Sequence, residues 1–504
     1  MARSWAAPAL CLFALGGASR AEASPLLEAL GGFGDSGGQQ ARNAASGPSA
    51  AYFNPALLLD APVGLTLGAG VLGLRLAVTL EGRGDGRHDV PAGLENAAHA
   101  DGTRFDHYGL ATRTLQLGRE ATPSQSATSA RPRQADGSGV QTQSYEAVGL
   151  VVHALQERLA VGLYGLIPNG DFMQLRSFYV DEREQFTSNS LHPELYGDRL
   201  SAPSFAFGVG WRLHERFSIG AGTGVSLRAN SVAPAYVADA AQLDSLVLNV
   251  DVGVEASLAP HAGFVWRPYD GWRITGSVHA PRSLDVRANV QYLLATGVEQ
   301  TSSLRLVYDW MPWQAGLGTS WDVLSRRDTT LTLAASGVYG RWSQYIDRHG
   351  ERPAPELGWY DTVSGALGAR LTAGAWRFGL DLQYQPTPVP LQRGRSNYVD
   401  NDRIGASHTL ALAVPIGDSR LELGLQLQAS WMLSRFASKR ATPTFPDGVN
   451  RTPALVKDEV PDDAQLGLRP ADGAAGLQTN NPGFPGFSSE GWLAGAGLYV
   501  AVTP

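Results

Sequence analysis

The sequence predicts an all-β chain: a transmembrane antiparallel β-barrel whose lumen is plugged by an N-terminal hatch. Three observations predict it. The chain opens on an export signal and carries no cysteine beyond it. Runs of about ten residues alternate apolar and polar side chains, the pattern and length of a tilted strand crossing a bilayer. Between the signal and the first such run lies a small-residue stretch, Gly31 to Ala56, that closes on Asn54-Pro55-Ala56.

The export signal comes first in the chain. Arg3 supplies its positive end, Ala9 to Ala18 a short, mostly apolar core, and Ala21 and Ala23 small residues for cleavage, so residues 1–23 read as a signal peptide. The apolar run is too short to cross a bilayer as a helix, which disfavours the alternative of a retained anchor. Cys11 is the single cysteine and follows Leu10, not the small residue of a lipoprotein site. The processed chain therefore has no disulfide, no thiolate nucleophile and no cysteine-bound zinc. Residues 24–61 then read as the hatch and 62–504 as the barrel, with localisation in the outer membrane.

Composition agrees. Of 504 residues 17% are charged, and 59 are glycine; about 25% charged is usual for soluble proteins. Mean hydropathy is −0.13, and no apolar run beyond the signal is long enough for a membrane helix. Low charge without long apolar runs is expected where every second residue of a strand faces lipid. The net charge of −7 argues against a nucleic-acid partner, which needs a basic face.

The strand patterns are explicit. Phe217, Ile219, Ala221, Val225 and Leu227 share one parity, with Ser218, Gly220, Gly222, Ser226 and Arg228 on the other. Trp272, Ile274, Val278 and Ala280 alternate with Arg273, Thr275, Ser277 and His279. The runs Trp376 to Tyr384 and Leu421 to Trp431 behave in the same way. Period-two alternation puts one set on each face of a sheet. A soluble β-sandwich shows that alternation too, but here one face is almost wholly apolar and aromatic residues mark the run ends, as interfacial girdles require. Further strands are expected at Val63 to Leu80, Ser144 to Ala154, Leu159 to Ile167, Ser204 to Leu213, Gly263 to Trp266, Ser303 to Tyr308, Ala315 to Trp321, Thr329 to Trp342, Val363 to Leu371, Ser407 to Val414 and Trp492 to Val502.

Long polar segments interrupt these runs: Glu81 to Gln143, Asn169 to Ala202 and Ala437 to Glu490, rich in Gly, Ser, Asp and Pro. They read as loops, and long loops lie on the extracellular side of such barrels. Apolar residues within loop stretches, Phe172, Met173, Phe178 and Tyr179 with Ala233 to Val237 and Leu246 to Leu248, are candidates for a landing patch, against the alternative of ordinary loop packing.

A family resemblance follows from ordered motifs. Gly34-Asp35-Ser36 through Ala41-Arg42-Asn43 to Phe53-Asn54-Pro55-Ala56 resembles the N-terminal hatch and Asn-Pro-Ala signature of FadL/TodX-type outer-membrane transporters of long-chain fatty acids and hydrocarbons. Leu163 to Gly170, Phe264 to Trp272, Gly340 to Ser343, and Pro388-Val389-Pro390 followed by Val399 to Arg403 are similar to later segments of that family, in the same order. The chain's final Thr503-Pro504 departs from the terminal aromatic of barrel assembly signals.

The resemblance implies a barrel of about 14 strands, a hatch with Phe53, Asn54, Pro55 and Ala56 at its gate, and ligand capture by extracellular loops. It also implies sideways release near the third strand, at Pro168, Asn169 and Gly170. Pro168 lacks the N–H of a sheet ladder, which suits a break in pairing. The implied partners are a hydrophobic small molecule, fatty acid or hydrocarbon, and outer-membrane lipid; the implied state is a monomer, with no cofactor. A general porin and a non-transporting barrel scaffold are the alternatives.

Three enzyme-like motifs lack their context. Gly34 to Gly38 spells the nucleophile motif of serine proteases with no His or Asp upstream. Gly68 to Gly73 matches a dinucleotide fingerprint, but strand, not helix, follows it. Asp400 to Gly405 resembles the start of a calcium loop with Ala411 where the bidentate Glu should stand. The ten histidines show no metal-ligand spacing. No enzyme constellation is expected.

Overall fold

The computed structural model describes residues 25–33, 37–80, 140–169, 203–237, 246–248, 251–294, 299–346, 352, 358–390, 398–438 and 486–504. The signal peptide expected at 1–23, Gly34 to Ser36, Gly170, Phe172, Met173, Phe178 and Tyr179 lie outside the described residues.

Seventeen strands are described: β1 Gly64–Leu80, β2 Gln141–Ala154, β3 Leu159–Asn169, β4 Ser204–His214, β5 Phe217–Val237, β6 Leu246–Leu248, β7 Asp251–Tyr269, β8 Trp272–His279, β9 Arg282–Leu294, β10 Glu299–Met311, β11 Gln314–Arg326, β12 Thr329–Gly340, β13 Thr362–Ala373, β14 Trp376–Gln385, β15 Arg403–Ile416, β16 Ser419–Ser438 and β17 Gly486–Thr503. Fourteen of them close a ring. β1 pairs β2, then β3, β4, β5, β7, β8, β11 and β12 follow, and β13 to β17 lead back to β1, each pair antiparallel. Closure removes the unpaired edge that an open sheet would expose, as lipid demands.

β6, β9 and β10 stand outside the ring. β6 pairs the far end of β5 at Ala235 to Val237. β9 and β10 form a hairpin between β8 and β11, and β9 runs parallel to β5 from Ala229 to Val237. The stretches Ala233 to Val237 and Leu246 to Leu248, expected as loop, are therefore strand. β9 was not expected as a strand at all, although its own alternation, Leu284, Val286, Ala288 and Val290 against Asp285, Arg287, Asn289 and Gln291, is regular. Several other bounds move outward. β7 starts well before Gly263, β17 takes in Gly486 to Glu490, and Ala437 and Ser438 extend β16. The run expected to reach Trp342 stops at Gly340 and passes into a one-turn 3-10 helix, Trp342–Gln344.

The outward face carries the predicted apolar parity. In β14, Phe378, Leu380 and Leu382 are exposed while Asp381 is buried, and Leu317, Leu367 and Leu498 are between 63% and 66% exposed. A closed ring with large apolar side chains this exposed on its outer face fits contact with lipid. Trp211, Trp266, Trp321 and Trp376 mark the end with the short turns, and Tyr384 and Trp431 lie toward the other end. At the short-turn end, Gly374 and Gly417 take φ of 59° and 60° to reverse the chain in tight turns.

The inward face is not left to water. Residues 25–33 and 37–61 run inside the ring as short helices, α1 Pro25–Leu30, α2 Ala41–Ala44 and α3 Ala50–Phe53, with 3-10 turns at Gly38–Gln40 and Pro55–Leu59. Leu26, Leu27, Phe53, Ala56, Leu57 and Leu58 are at most 1% exposed. No helix of such length persists alone in water, so this segment owes its shape to the wall.

Candidate functional site

The site is the interface between this inner segment and the strands around it. It is built around Asn54. Asn54 is extended (φ −162°, ψ 97°), which ends α3 and starts the next turn with Pro55 at its first position. Proline serves there because its missing N–H is one that a helix start does not use. The Asn54 Oδ1 accepts the Ala56 N–H at 3.2 Å, a side-chain cap. Its Nδ2 donates to the carbonyls of Phe264 on β7 and Gly276 on β8, both at 3.3 Å, and to Arg42 at 3.4 Å.

The wall accepts this approach because it lacks side chains at the contact. A Cβ at Gly263 would lie 2.1 Å from Asn54 Oδ1, and one at Gly220 2.3 Å from the Ala56 nitrogen. Asn43 repeats the arrangement. Its Nδ2 donates to Thr319 O at 2.9 Å and Ala335 O at 3.1 Å, its Oδ1 accepts from Thr275 Oγ1 at 2.8 Å, and it stands over Gly318.

Two histidines that the sequence reading did not single out also grip the segment. His261 Nε2 donates to Ala51 O at 2.7 Å and His279 Nε2 to Phe53 O at 3.2 Å. Their rings stack at 5.0 Å and 11°, and Tyr52 stands edge-on to both. The Tyr52 hydroxyl donates to Glu28 Oε1 at 2.7 Å. Burial first, and then the Glu28 carboxylate, hold that hydroxyl well above the usual phenol range, so it remains a donor. Glu28 also pairs with Arg42, whose guanidinium reaches Gln314 and lies 5.8 Å over the Phe53 ring.

The second part of the segment, 37–61, is tied down at both ends. At its start, the Gly37 N–H donates to Asp381 Oδ2 at 2.9 Å, and Arg370 holds both Asp381 oxygens at 2.7 Å. At its end, Arg212 donates to Leu59 O at 3.3 Å, and Arg267 holds both oxygens of Asp60 at 2.5 Å.

On the long-connection side of the segment lies a pocket. Glu28, Ala29 and Gln39 line it from the inner segment; Met311, Trp342, Pro388 and Leu493 give it an apolar wall; Gln383 and Arg403 add polar groups. Trp342 belongs to an aromatic cluster that continues through Trp310, Tyr345, Trp359 and Tyr398, with Tyr345 and Trp359 stacked at 3.6 Å.

Of the residues expected at a gate, Phe53, Asn54, Pro55 and Ala56 are brought together and fully buried against β5, β7 and β8. Pro168 and Asn169 sit at the end of β3, opposite Tyr145 and Ser144 of β2. Among the described residues the ladder to β4 stops earlier, at Leu166 opposite Ser204. No group of His, Cys, Asp or Glu with metal-binding geometry occurs among the described residues.

No protein-family model matches the sequence, and no curated protein does either. The fold is similar to solved structures. A FadL homologue of Pseudomonas aeruginosa is 14% identical with a TM-score of 0.49, over 91% of this chain and 94% of that one. The toluene transporter TodX of P. putida is 10% identical with a TM-score of 0.42, over 90% and 94%. The toluene transporter TbuX of Ralstonia pickettii is 12% identical with a TM-score of 0.39, over 95% and 98%. These structures come from the family that the sequence motifs resemble.

Proposed function

We propose that this chain is an outer-membrane transporter for the passive uptake of hydrophobic compounds, long-chain fatty acids or hydrocarbons among them. The observation that carries the reading is the pairing of a blocked lumen with a part-apolar pocket directly above the block. A solute of low water solubility gains about 0.8 kcal/mol for each CH₂ it buries, so an apolar wall at the mouth concentrates it where a water-filled pore offers nothing. The inner segment then acts as a hatch, residues 24–61, that must shift before the ligand passes.

Release is assigned sideways, near Pro168, Asn169 and Gly170, into the lipid of the outer membrane. The sequence resemblance supports that route, and Pro168, which has no N–H to give a ladder, fits a break in pairing there. The sequence resemblance and the ring of 14 strands support the class, and no energy source is invoked. A general porin would need an open lumen, which the buried inner segment opposes.

The test is uptake by proteoliposomes holding the refolded full chain, offered labelled oleate, toluene and a small sugar in parallel. Uptake of an apolar compound without the sugar is the expected result. Sugar passage would establish a porin, and no uptake would favour a scaffold.

A further inference from the structure

His261 on β7 and His279 on β8 face each other in the ladder, and both are buried, 5% and 2% exposed. The wall makes room for the first ring at Gly222 of β5, where a Cβ would lie 2.4 Å from His261 Nε2. The rings stack at 5.0 Å, and each Nε2 spends its proton on the inner segment, at Ala51 O and Phe53 O. A neutral imidazole carries one N–H. In His261 the other nitrogen, Nδ1, lies 3.3 Å from Ala259 O, so two acceptors face a ring with one proton to give. That contact becomes a hydrogen bond only when the ring is protonated. A single proton on His261 thus has a place in the closed interface.

A second proton, on His279, does not. The charged and titratable groups described around the pair are Arg42, Arg282, Glu28 and Tyr52. Glu28 is the one carboxylate of that set, and it already pairs with Arg42 and accepts from Tyr52. β5 brings Gly222 and β11 brings Gln314 opposite the rings, neither of them charged. Two protonated rings would stack cation on cation beside the Arg42 guanidinium, and unmatched buried charge is costly. Water can relieve it only if α3 leaves the wall.

We infer that the stacked pair is an acid-released lock on the inner segment: once both rings carry a proton, α3 and the Asn54 turn leave the β7–β8 wall. The inference rests on the hatch reading and names a condition that shifts the hatch. A released ring meets water and takes up its proton near the ordinary histidine value, about pH 6.5. Each proton gained on release shifts the balance by up to about tenfold per pH unit below that value. The lock therefore holds at neutral pH and above, and weakens as the pH falls toward about 5.

The test is hydrogen–deuterium exchange of the full chain refolded in detergent micelles, read as protection factors at about pH 7.5 and about pH 5, on either side of the ordinary histidine value. The N–H groups of Ala50 to Asn54 and of Ala56 all carry hydrogen bonds within the segment, so their protection reports whether it is seated. Protection there should fall about tenfold or more in acid, while the ladders of β13 to β15 keep theirs. In His261→Gln with His279→Gln, whose amides still donate but take up no proton, protection should stay level. His279→Gln alone should remove most of the fall. His153→Gln is the control: that ring meets Leu58 O at 3.0 Å from β2 but is only half-buried, and the acid effect should persist without it. Equal protection at both pH values in the unaltered chain overturns the inference. So does a full fall in His279→Gln or in the double variant, or its loss in His153→Gln. Those outcomes leave the hatch reading standing, whereas a segment already unprotected at the higher pH overturns both.

Discussion

The amide oxygen of Asn54 occupies the space that a side chain at Gly263 would fill: a Cβ there would lie 2.1 Å away. Backbone cannot yield at that spot, because Gly263 is paired on both sides, to Gly220 of β5 and Ser277 of β8. Gly263→Val should therefore push the inner segment off the wall without opening the ring. Overpacking of this kind costs about 1–3 kcal/mol. The expected outcome is a barrel that still shows heat-modifiable migration on gels, melts at a lower temperature, and conducts more current in planar bilayers. Unchanged conductance would mean that the segment does not seal the lumen through this contact.

Asn54 can be tested from the other side. Asn54→Ala removes the cap on Ala56 and the bonds to Phe264 and Gly276, a loss of about 2–3 kcal/mol from one cap and two modest hydrogen bonds. Together with Pro55→Ala it should loosen the hatch and alter uptake while assembly proceeds. Uptake identical to that of the parent chain would count against a gating role for this tripeptide.

The tie at Gly37 is electrostatic. Asp381 is 5% exposed and is held by Arg370, by the Gly37 N–H and by Ser407. Removing one partner from a buried pair strands a charge, at about 3–5 kcal/mol. Arg370→Met should be strongly destabilising in urea titrations of the refolded barrel. Arg370→Met with Asp381→Leu should recover much of the loss, since the stranded charge is gone. If the double variant is no better than the single, the bidentate geometry contributes beyond the charge balance.

Acid should loosen the connection before β13. Burial raises the Asp361 pKa, but hydrogen bonds from Tyr339 and from the Ser343 N–H and side chain, with Arg341 nearby, outweigh it and leave the carboxyl below its ordinary 3.8. A depressed carboxyl pKa contributes stability that is fully present above the unfolded value and is lost as pH falls through the folded one. The anchoring of Ser343 should thus persist at neutral pH and weaken only below about pH 4. Tyr339→Phe should move the transition upward, toward 3.8, read as acid-induced proteolysis of the 341–360 connection. A transition at the same pH in both chains would remove Tyr339 as a cause.

How much of this was legible in the sequence follows from what each feature depends on. The outward faces of β5, β8, β14 and β16 could be read because lipid contact is a local property of every second residue. The burial of Asn54-Pro55-Ala56 was foreshadowed by its motif, but its partners were not. Gly220, Gly263 and Gly318 look like ordinary strand glycines until ring closure sets the inner segment over them. His261 and His279 lie 18 residues apart in sequence but become a stacked pair because β7 and β8 align them directly, residue for residue. The β9–β10 hairpin was half seen: Ser303 to Tyr308 read as strand, but its partner went unmarked despite a regular alternation.

The lateral route makes a separable claim. Pro168 faces Tyr145 on the β2 side, where the ladder continues to Asn169. On the β4 side pairing ends at Leu166 among the described residues. The β2–β3 pairing past Pro168 leaves the β4 side of that proline as the margin at which a sideways passage is to be tested. Pro168→Trp adds bulk at that margin without removing a ladder N–H, since proline has none to lose. Release of a bound fluorescent fatty acid into liposomes should slow, while its affinity for the detergent-free protein stays the same. A matched loss of binding and release would place the substitution in the binding site and contradict a lateral exit. Unchanged release would move the exit elsewhere, and a cross-link between Ile167 and Pro203 positions, each changed to cysteine, would then be expected to leave transport intact as well.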